Sequence, residues 1–144
     1  MPDRDVVLAK VASIQKCLER IKEATSLDPN SLDDIDRQDI FVLNLQRAIQ
    51  ACLGLAAHIV ASEALGLPET ARETFTLLKE RAIIDPETAS KMEKMVGFRN
   101  IAIHNYQALD LEILKSILSN NLKDLEDFYV AVLRHFGFLD EGKA

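Results

Sequence analysis

Two long apolar stripes with helical spacing constrain the fold of this chain most. The first recurs at alternating steps of four and three residues, and the second keeps the same rhythm further along the chain: Val7, Val11, Ile14, Leu18 and Ile21, then Phe41, Leu45, Ala48, Cys52, Leu55 and Ile59. Such steps place side chains on one face of a helix, and that face is buried. A turn-rich stretch at 26–31 separates the stripes. We therefore expect a long antiparallel helix pair as the scaffold of an all-α bundle.

Start and stop signals place further helices after this pair. Gly66 and Pro68 predict that the second helix ends at 65–68. Thr70 followed by Glu73 has the form of a capping box that opens a short third helix. Asp85 is a good N-cap, and the proline after it fits the first position of a fourth helix.

The C-terminal third predicts one more helix, so that the bundle has about five. Asp110 is the expected N-cap, and one apolar face follows it: Leu111, Leu114, Leu118, Leu125, Phe128 and Val132. Gly137 followed by Phe138 resembles a left-handed cap with its hydrophobic contact. The sequence shows no sustained strand-like alternation and no internal repeat.

Length and charge narrow the class of protein. A chain of 144 residues fits a single domain, 1–144. With 17 Lys plus Arg against 23 Asp plus Glu, the net charge of −6 argues against broad nucleic-acid binding, so any RNA contact must be local. Cys17 and Cys52 have no partner at metal or redox spacing and are expected to be small core residues. We see no signal pattern and no apolar run of transmembrane length, which favours a cytoplasmic protein without membrane contact.

The stretch 99–106 carries the groups that phosphodiester chemistry uses. Arg99 offers a planar, permanently charged fork that matches phosphate oxygens, and His104 offers an imidazole that exchanges protons near neutral pH. Five helical steps leave these two side chains about 140° apart, so they converge only where the helix ends or is distorted. A helix terminus is therefore the expected location. The alternative is structural, because the helix dipole favours cations at a C-terminus without any chemistry.

The remaining titratable residues give weaker signals. His58 lies in the second helix and His135 in the last turn of the final helix, and both are interpreted as structural. His104 has no ligand-type companion within one turn, so we expect a site without metal or cofactor. An acidic run near the start of the second helix is most simply a favourable dipole interaction, although a basic partner could use it: Asp33, Asp34, Asp36 and Asp39.

Arg99, His104 and Tyr106 together fit the R-x4-6-H-x-Y signature, and the chain resembles HEPN-domain proteins. The segments 45–59 and 94–100 resemble the HepT branch of these proteins, and the resemblance covers roughly residues 5–138. It implies the toxin of a type VII (HEPN/MNT) toxin–antitoxin system, a two-fold dimer and a metal-independent endoribonuclease. It also implies neutralisation by an MNT nucleotidyltransferase that uses ATP to adenylylate Tyr106. The alternative is that Tyr106 stacks on a base or caps the helix end, and that the antitoxin only occludes the site.

A mechanism follows from the residue types. Without a metal, the RNA 2′-hydroxyl can act as the nucleophile, so DNA is not an expected substrate. His104 is the natural base, Arg99 would hold the scissile phosphate, and Asn100 could orient the imidazole or donate to phosphate. We expect a 2′,3′-cyclic phosphate product. Because one chain supplies a single motif histidine, a composite site in a two-fold dimer would provide both base and acid. The alternative function is a non-catalytic substrate-binding or regulatory subunit of a nucleotidyltransferase.

Overall fold

The computed structural model describes residues 1–139, which form a helical bundle around one continuous hydrophobic core. The α-helices are α1 (Arg4–Thr25), α2 (Ile35–Ser62), α3 (Ala71–Glu80), α4 (Pro86–His104), α5 (Leu111–Ser116) and α6 (Leu122–His135). Short 3₁₀ turns at Pro29–Asp33 and Tyr106–Ala108 join α1 to α2 and α4 to α5. No strand occurs within residues 1–139, so the all-α prediction is confirmed; the last five residues of the predicted domain 1–144 lie outside the described part.

The α1–α2 hairpin is the scaffold that the two stripes predict. The Met1 amino group pairs with Glu63 at 2.7 Å, and the Lys10 ammonium lies 3.6 Å from where a β-carbon on Gly54 would stand. Low numbers on α1 therefore face high numbers on α2, which confirms the antiparallel arrangement. Cys52 is fully buried in this interface, and burial raises the pKa of its thiol. Both stripes lie in the core, apart from the half-buried Leu18.

The predicted helix starts are confirmed by their caps. The Thr70 hydroxyl accepts from the Glu73 amide at 3.1 Å, and the Asp85 carboxylate accepts from the Thr88 amide at 2.7 Å. Asp110 caps α5 in the same way, and Gly137 takes the left-handed conformation (φ 74°) that ends α6. Each cap satisfies a backbone group that has no partner within its helix, which explains why local sequence predicts these boundaries.

The end of α2 differs from the prediction. The helix stops at Ser62 rather than at 65–68, and Ala64 takes the left-handed conformation (φ 54°) that was expected of Gly66. The Leu65 amide then donates to the Val60 carbonyl at 3.0 Å, which is the reverse turn of a Schellman cap. Gly66 (φ 124°) serves the following loop instead.

The predicted fifth helix is divided by a π-helical turn at Ile117–Asn121 between α5 and α6. Two successive side chains at this turn, Ile117 and Leu118, face the core at 8% and 4% exposure. Successive pairs are also buried in the regular helix α2. The apolar spacing of the sequence does not reveal such an insertion.

α2 differs from the expectation that the sequence has no apolar run of transmembrane length. The helix has 28 residues, and an 18-residue window within it has a mean hydropathy of 1.4, which is long and apolar enough to cross a bilayer by length and composition. Most of its apolar side chains, however, lie at the centre of the bundle and pack against α1, while Ile35 and Leu43 are exposed. The helix has the burial of a core helix in a globular protein.

Candidate active site at the end of α4

The arginine and histidine of the motif lie near the C-terminus of α4. α4 stays α-helical through His104, its last residue, and the Asn105 amide then donates to the Ile101 carbonyl at 2.7 Å. The terminus is therefore where the sequence predicts it, but the helix ends after His104 and not between Arg99 and His104. The two positions remain about 140° apart around the axis and about 7.5 Å apart along it. One protomer thus presents them in different directions.

Arg99 is held across the bundle by neutral amides. Its Nη1 donates to Gln50 Oε1 of α2 at 2.7 Å, and its Nη2 donates to Asn100 Oδ1 at 2.9 Å. Its Nε is buried without an acceptor, and Arg99 forms no ion pair with any residue between 1 and 139. The guanidinium is therefore fixed in direction while its charge stays uncompensated. Its free N–H groups can still bind an anion.

Asn100 differs from its predicted role toward the histidine. Its side-chain carbonyl accepts from Arg99, and within the described residues it makes no hydrogen bond to His104. It therefore orients the arginine rather than the imidazole. Its amide nitrogen has no partner in the same part of the chain, so donation to a phosphate stays a prediction.

His104 is exposed at the last position of α4. It makes no hydrogen bond and no ion pair with residues 1–139, unlike the well-tethered Arg99. Both motif side chains can be reached from solvent, since Arg99 is half-buried and its hydrogen bonds lie at the surface. Neither side chain is enclosed in the bundle. A catalytic role requires this accessibility, because both groups must reach the substrate.

Tyr106 begins the 3₁₀ turn after α4 and is 41% exposed. Its hydroxyl donates to Asp39 Oδ1 on α2. Partial desolvation of the phenol and the adjacent Asp39 carboxylate raise its pKa to about 12. Asp39 therefore contacts the motif, whereas the sequence interpretation assigned it to the dipole of α2; in that acidic run, Asp34 is the residue that caps the helix.

A basic depression adjoins Arg99 on the other side of Gln50. It has a volume of about 330 Å³ and is lined by Lys10, Ser13, Arg47, Gln50, Ala51 and Gly54. Its charged lining residues are both cations, on a chain whose net charge is −6. Neither Gln50 nor this surface is predicted from the sequence, in which the only signal is two polar residues, Arg47 and Gln50, three apart on α2.

The other candidate residues remain peripheral. His58 is half-buried, its Nε2 has no hydrogen-bond partner among residues 1–139, and His135 packs edge-on against Phe136 at 4.8 Å. Within the described part of the chain, no three His, Cys, Asp or Glu side chains gather to hold a metal ion. Metal-independence stays a prediction.

Comparison with known proteins identifies the family. The family model "Ribonuclease HepT-like" matches residues 14–132. The chain is 38% identical over 124 residues to the mRNA nuclease HepT of Shewanella oneidensis, covering 86% of this chain and 93% of that protein. It is 29% identical over 107 residues to the tRNA nuclease HepT of Aphanizomenon flos-aquae, covering 73% of this chain and 72% of that protein.

A solved structure agrees with these relatives. The tri-AMPylated HEPN toxin of Shewanella oneidensis, in complex with its MNT antitoxin, superposes with a TM-score of 0.85 at 37% identity. The superposition covers 90% of this chain and 98% of that one. Sequence, fold and motif therefore lead to the same assignment: the chain belongs to the HepT-like ribonuclease family.

Proposed function

We propose that this chain is the toxin of a toxin–antitoxin pair, a metal-independent endoribonuclease that acts in the cytoplasm. The state of the Arg99 side chain is the observation that supports a catalytic role. Its guanidinium is directed by two amide oxygens and carries no counterion within residues 1–139. A phosphate-binding arginine must keep its charge for the substrate, and Arg99 does so while two hydrogen bonds fix its direction.

The proposed reaction uses the substrate's own 2′-hydroxyl. His104 takes the proton from this hydroxyl as its oxygen attacks the adjacent phosphorus, and the bond to the 5′-oxygen breaks. Arg99 binds the non-bridging oxygens, on which negative charge grows in the transition state. The products are a 2′,3′-cyclic phosphate and a 5′-hydroxyl end. DNA lacks the nucleophile and is not cleaved.

A two-fold dimer completes the site in this proposal. The departing 5′-oxygen needs a proton, and His104 of the partner subunit can supply it across a shared groove. Exposed apolar side chains beside the motif support an interface there, since Ile101 and Ile103 are 48% and 54% exposed. Because Arg99 and His104 diverge around α4, residues from two protomers are the simpler way to bring both groups to one phosphate.

The basic depression gives the RNA backbone a path to the site. Lys10 and Arg47 lie next to Gln50, which holds Arg99, so a phosphate neighbouring the scissile one can bind there. A local cationic surface of this kind reconciles RNA binding with an acidic chain.

We propose further that an MNT-type nucleotidyltransferase neutralises this toxin by adenylylating Tyr106. The Shewanella relative is AMPylated and bound to an MNT antitoxin. Tyr106 is exposed and stands two residues after His104. An anionic adenylyl group at this position repels and obstructs an RNA phosphate.

Cleavage of single-stranded RNA in EDTA tests the nuclease proposal. We expect wild-type protein to generate cyclic phosphate ends, and Arg99→Ala and His104→Ala to lose cleavage while keeping the helical circular dichroism spectrum. RNA carrying a single 2′-deoxy substitution at the cut position should resist. If purified wild-type protein cleaves no RNA, the alternative of a non-catalytic subunit of a nucleotidyltransferase is favoured instead.

A further inference from the structure

We propose that Asp39 is the general base that takes the phenol proton of Tyr106 during adenylyl transfer, an inference that rests on the proposed modification of Tyr106.

The contact between these residues joins two distant parts of the chain. The Tyr106 hydroxyl, in the turn after α4, donates to Asp39 Oδ1 on α2, 67 residues earlier in sequence. Both side chains are exposed, so a nucleotide bound to a partner protein can reach the phenol oxygen. A candidate base must lie within hydrogen-bonding reach of the proton that it removes, and Asp39 meets that condition before any partner binds.

Asp39 has no other contact that explains its position. Nearby Asp33 pairs with Lys115 at 2.8 Å, and Asp34 caps α2 by accepting from the Asp36 amide at 3.0 Å. Asp39 is the fifth residue of α2, beyond the first turn where a carboxylate can cap free amides. Within residues 1–139 it has no cation and no backbone donor as partner. Its carboxylate is therefore committed to the tyrosine alone.

The transfer step needs such an acceptor. The Tyr106 oxygen attacks the α-phosphorus of ATP, an oxygen–phosphorus bond forms, and the bond to the departing pyrophosphate breaks. The phenol proton passes to the Asp39 carboxylate along the existing hydrogen bond. The products are O-adenylyl-Tyr106, pyrophosphate and a protonated Asp39, which returns its proton to water because it is exposed.

The environment of Tyr106 makes a proton acceptor for its phenol necessary. Partial desolvation and the adjacent carboxylate raise the pKa of Tyr106 to about 12, so almost no phenolate exists at neutral pH. The proton must then leave during the attack and not before it. His104 stands only two residues away, but among the described contacts it makes none with the Tyr106 hydroxyl.

Asp39→Asn separates proton transfer from positioning. Asparagine keeps an oxygen that accepts the phenol hydrogen bond, but it cannot take the proton. We expect the single-turnover rate of the first adenylyl transfer, at saturating ATP and saturating MNT nucleotidyltransferase, to fall about 10²- to 10⁴-fold. Asp39→Glu should recover part of the rate, and added formate should partly rescue Asp39→Ala. Asp36→Asn, three residues earlier on α2, is the matched control and should react at the wild-type rate.

Intact mass spectrometry distinguishes the outcomes. Equal rates for wild type and Asp39→Asn overturn the inference, and so does a slow Asp39→Ala beside a fast Asp39→Asn, because Asp39 would then only position the phenol. If wild type and Tyr106→Phe gain the same adenylyl mass, the acceptor is another residue and the proposed modification of Tyr106 itself fails. Circular dichroism of each variant confirms that the bundle is folded.

Discussion

Arg99 Nη1 lies 2.7 Å from Gln50 Oε1, and this hydrogen bond ties the end of α4 to the middle of α2. A neutral amide directs the guanidinium without cancelling its charge. Gln50 is therefore a positioning residue for phosphate binding. The effect of a charge at this position can be tested separately from the loss of the side chain.

Two substitutions at Gln50 should have unequal effects. Gln50→Ala removes one hydrogen bond, worth about 1 kcal/mol, and should slow RNA cleavage about three- to tenfold. Gln50→Glu keeps the acceptor but gives Arg99 a counterion, and should slow cleavage by at least a further tenfold or so. Gln46→Ala, one turn earlier on α2, is the control. Single-turnover cleavage rates measure all three, and a fully active Gln50→Glu would contradict the need for an uncompensated charge.

A mixed dimer tests the composite site. Arg99→Ala and His104→Ala protomers are each expected to be inactive alone, but a dimer that contains one of each keeps one intact arginine and one intact histidine. If the two groups act across a shared groove, the purified heterodimer should cleave RNA above both parents and below wild type. Co-expression with two affinity tags isolates it. No activity above either parent would show that one arginine and one histidine from different protomers do not suffice, and would contradict this prediction.

The ionisation of Tyr106 should be displaced to high pH. With a pKa of about 12, its folded form holds the proton more tightly than the unfolded chain does, so its stabilising contribution is present below about pH 10 and is lost between about pH 10 and 12. The chain has two tyrosines and no tryptophan, so tyrosinate absorbance in a Tyr129→Phe background reports Tyr106 alone.

At pH 11, about one tenth of Tyr106 should be ionised, compared with about nine tenths for a free phenol. Asp39→Asn should move the pKa only part of the way toward its ordinary value, because desolvation, the larger cause, remains. An unchanged titration curve in that variant would show that the carboxylate does not act on the phenol.

The basic depression should affect substrate binding more than chemistry. Arg47→Ala and Lys10→Ala are expected to raise KM for RNA with little change in kcat, and each should reduce the slope of log KM against log salt by about 0.7. Lys79→Ala, on the exposed side of α3, is the control for total charge. A loss of kcat with unchanged KM would exclude a role in holding the flanking backbone.

The sequence predicts the features of this protein that depend on nearby residues. The caps at Thr70, Asp85 and Asp110 follow from side chains two or three positions from the amides that they satisfy. The stripes of α1 and α2 follow from helical periodicity, and the motif at 99–106 is contiguous.

The contacts that form the candidate active site join residues that are far apart in the sequence. Gln50 meets Arg99 across 49 residues, and Asp39 meets Tyr106 across 67. Both depend on how α2 is rotated against the end of α4, which apolar spacing does not specify for polar side chains on the helix rim. The π turn is not predicted because the apolar positions on either side of the extra residue, Leu118 and Leu125, keep a helical spacing of seven residues.

The unpaired charge of Arg99 favours ribonuclease activity but lowers the thermodynamic stability of the protein. The bundle orders a long cationic side chain, and buries its Nε without an acceptor, before any RNA arrives. The conformational entropy of the guanidinium is therefore lost on folding and not on substrate binding, which favours binding. The free energy of folding of the protein without RNA is less favourable for the same reason. An inactive Arg99→Met protein should therefore melt at a higher temperature than the wild type.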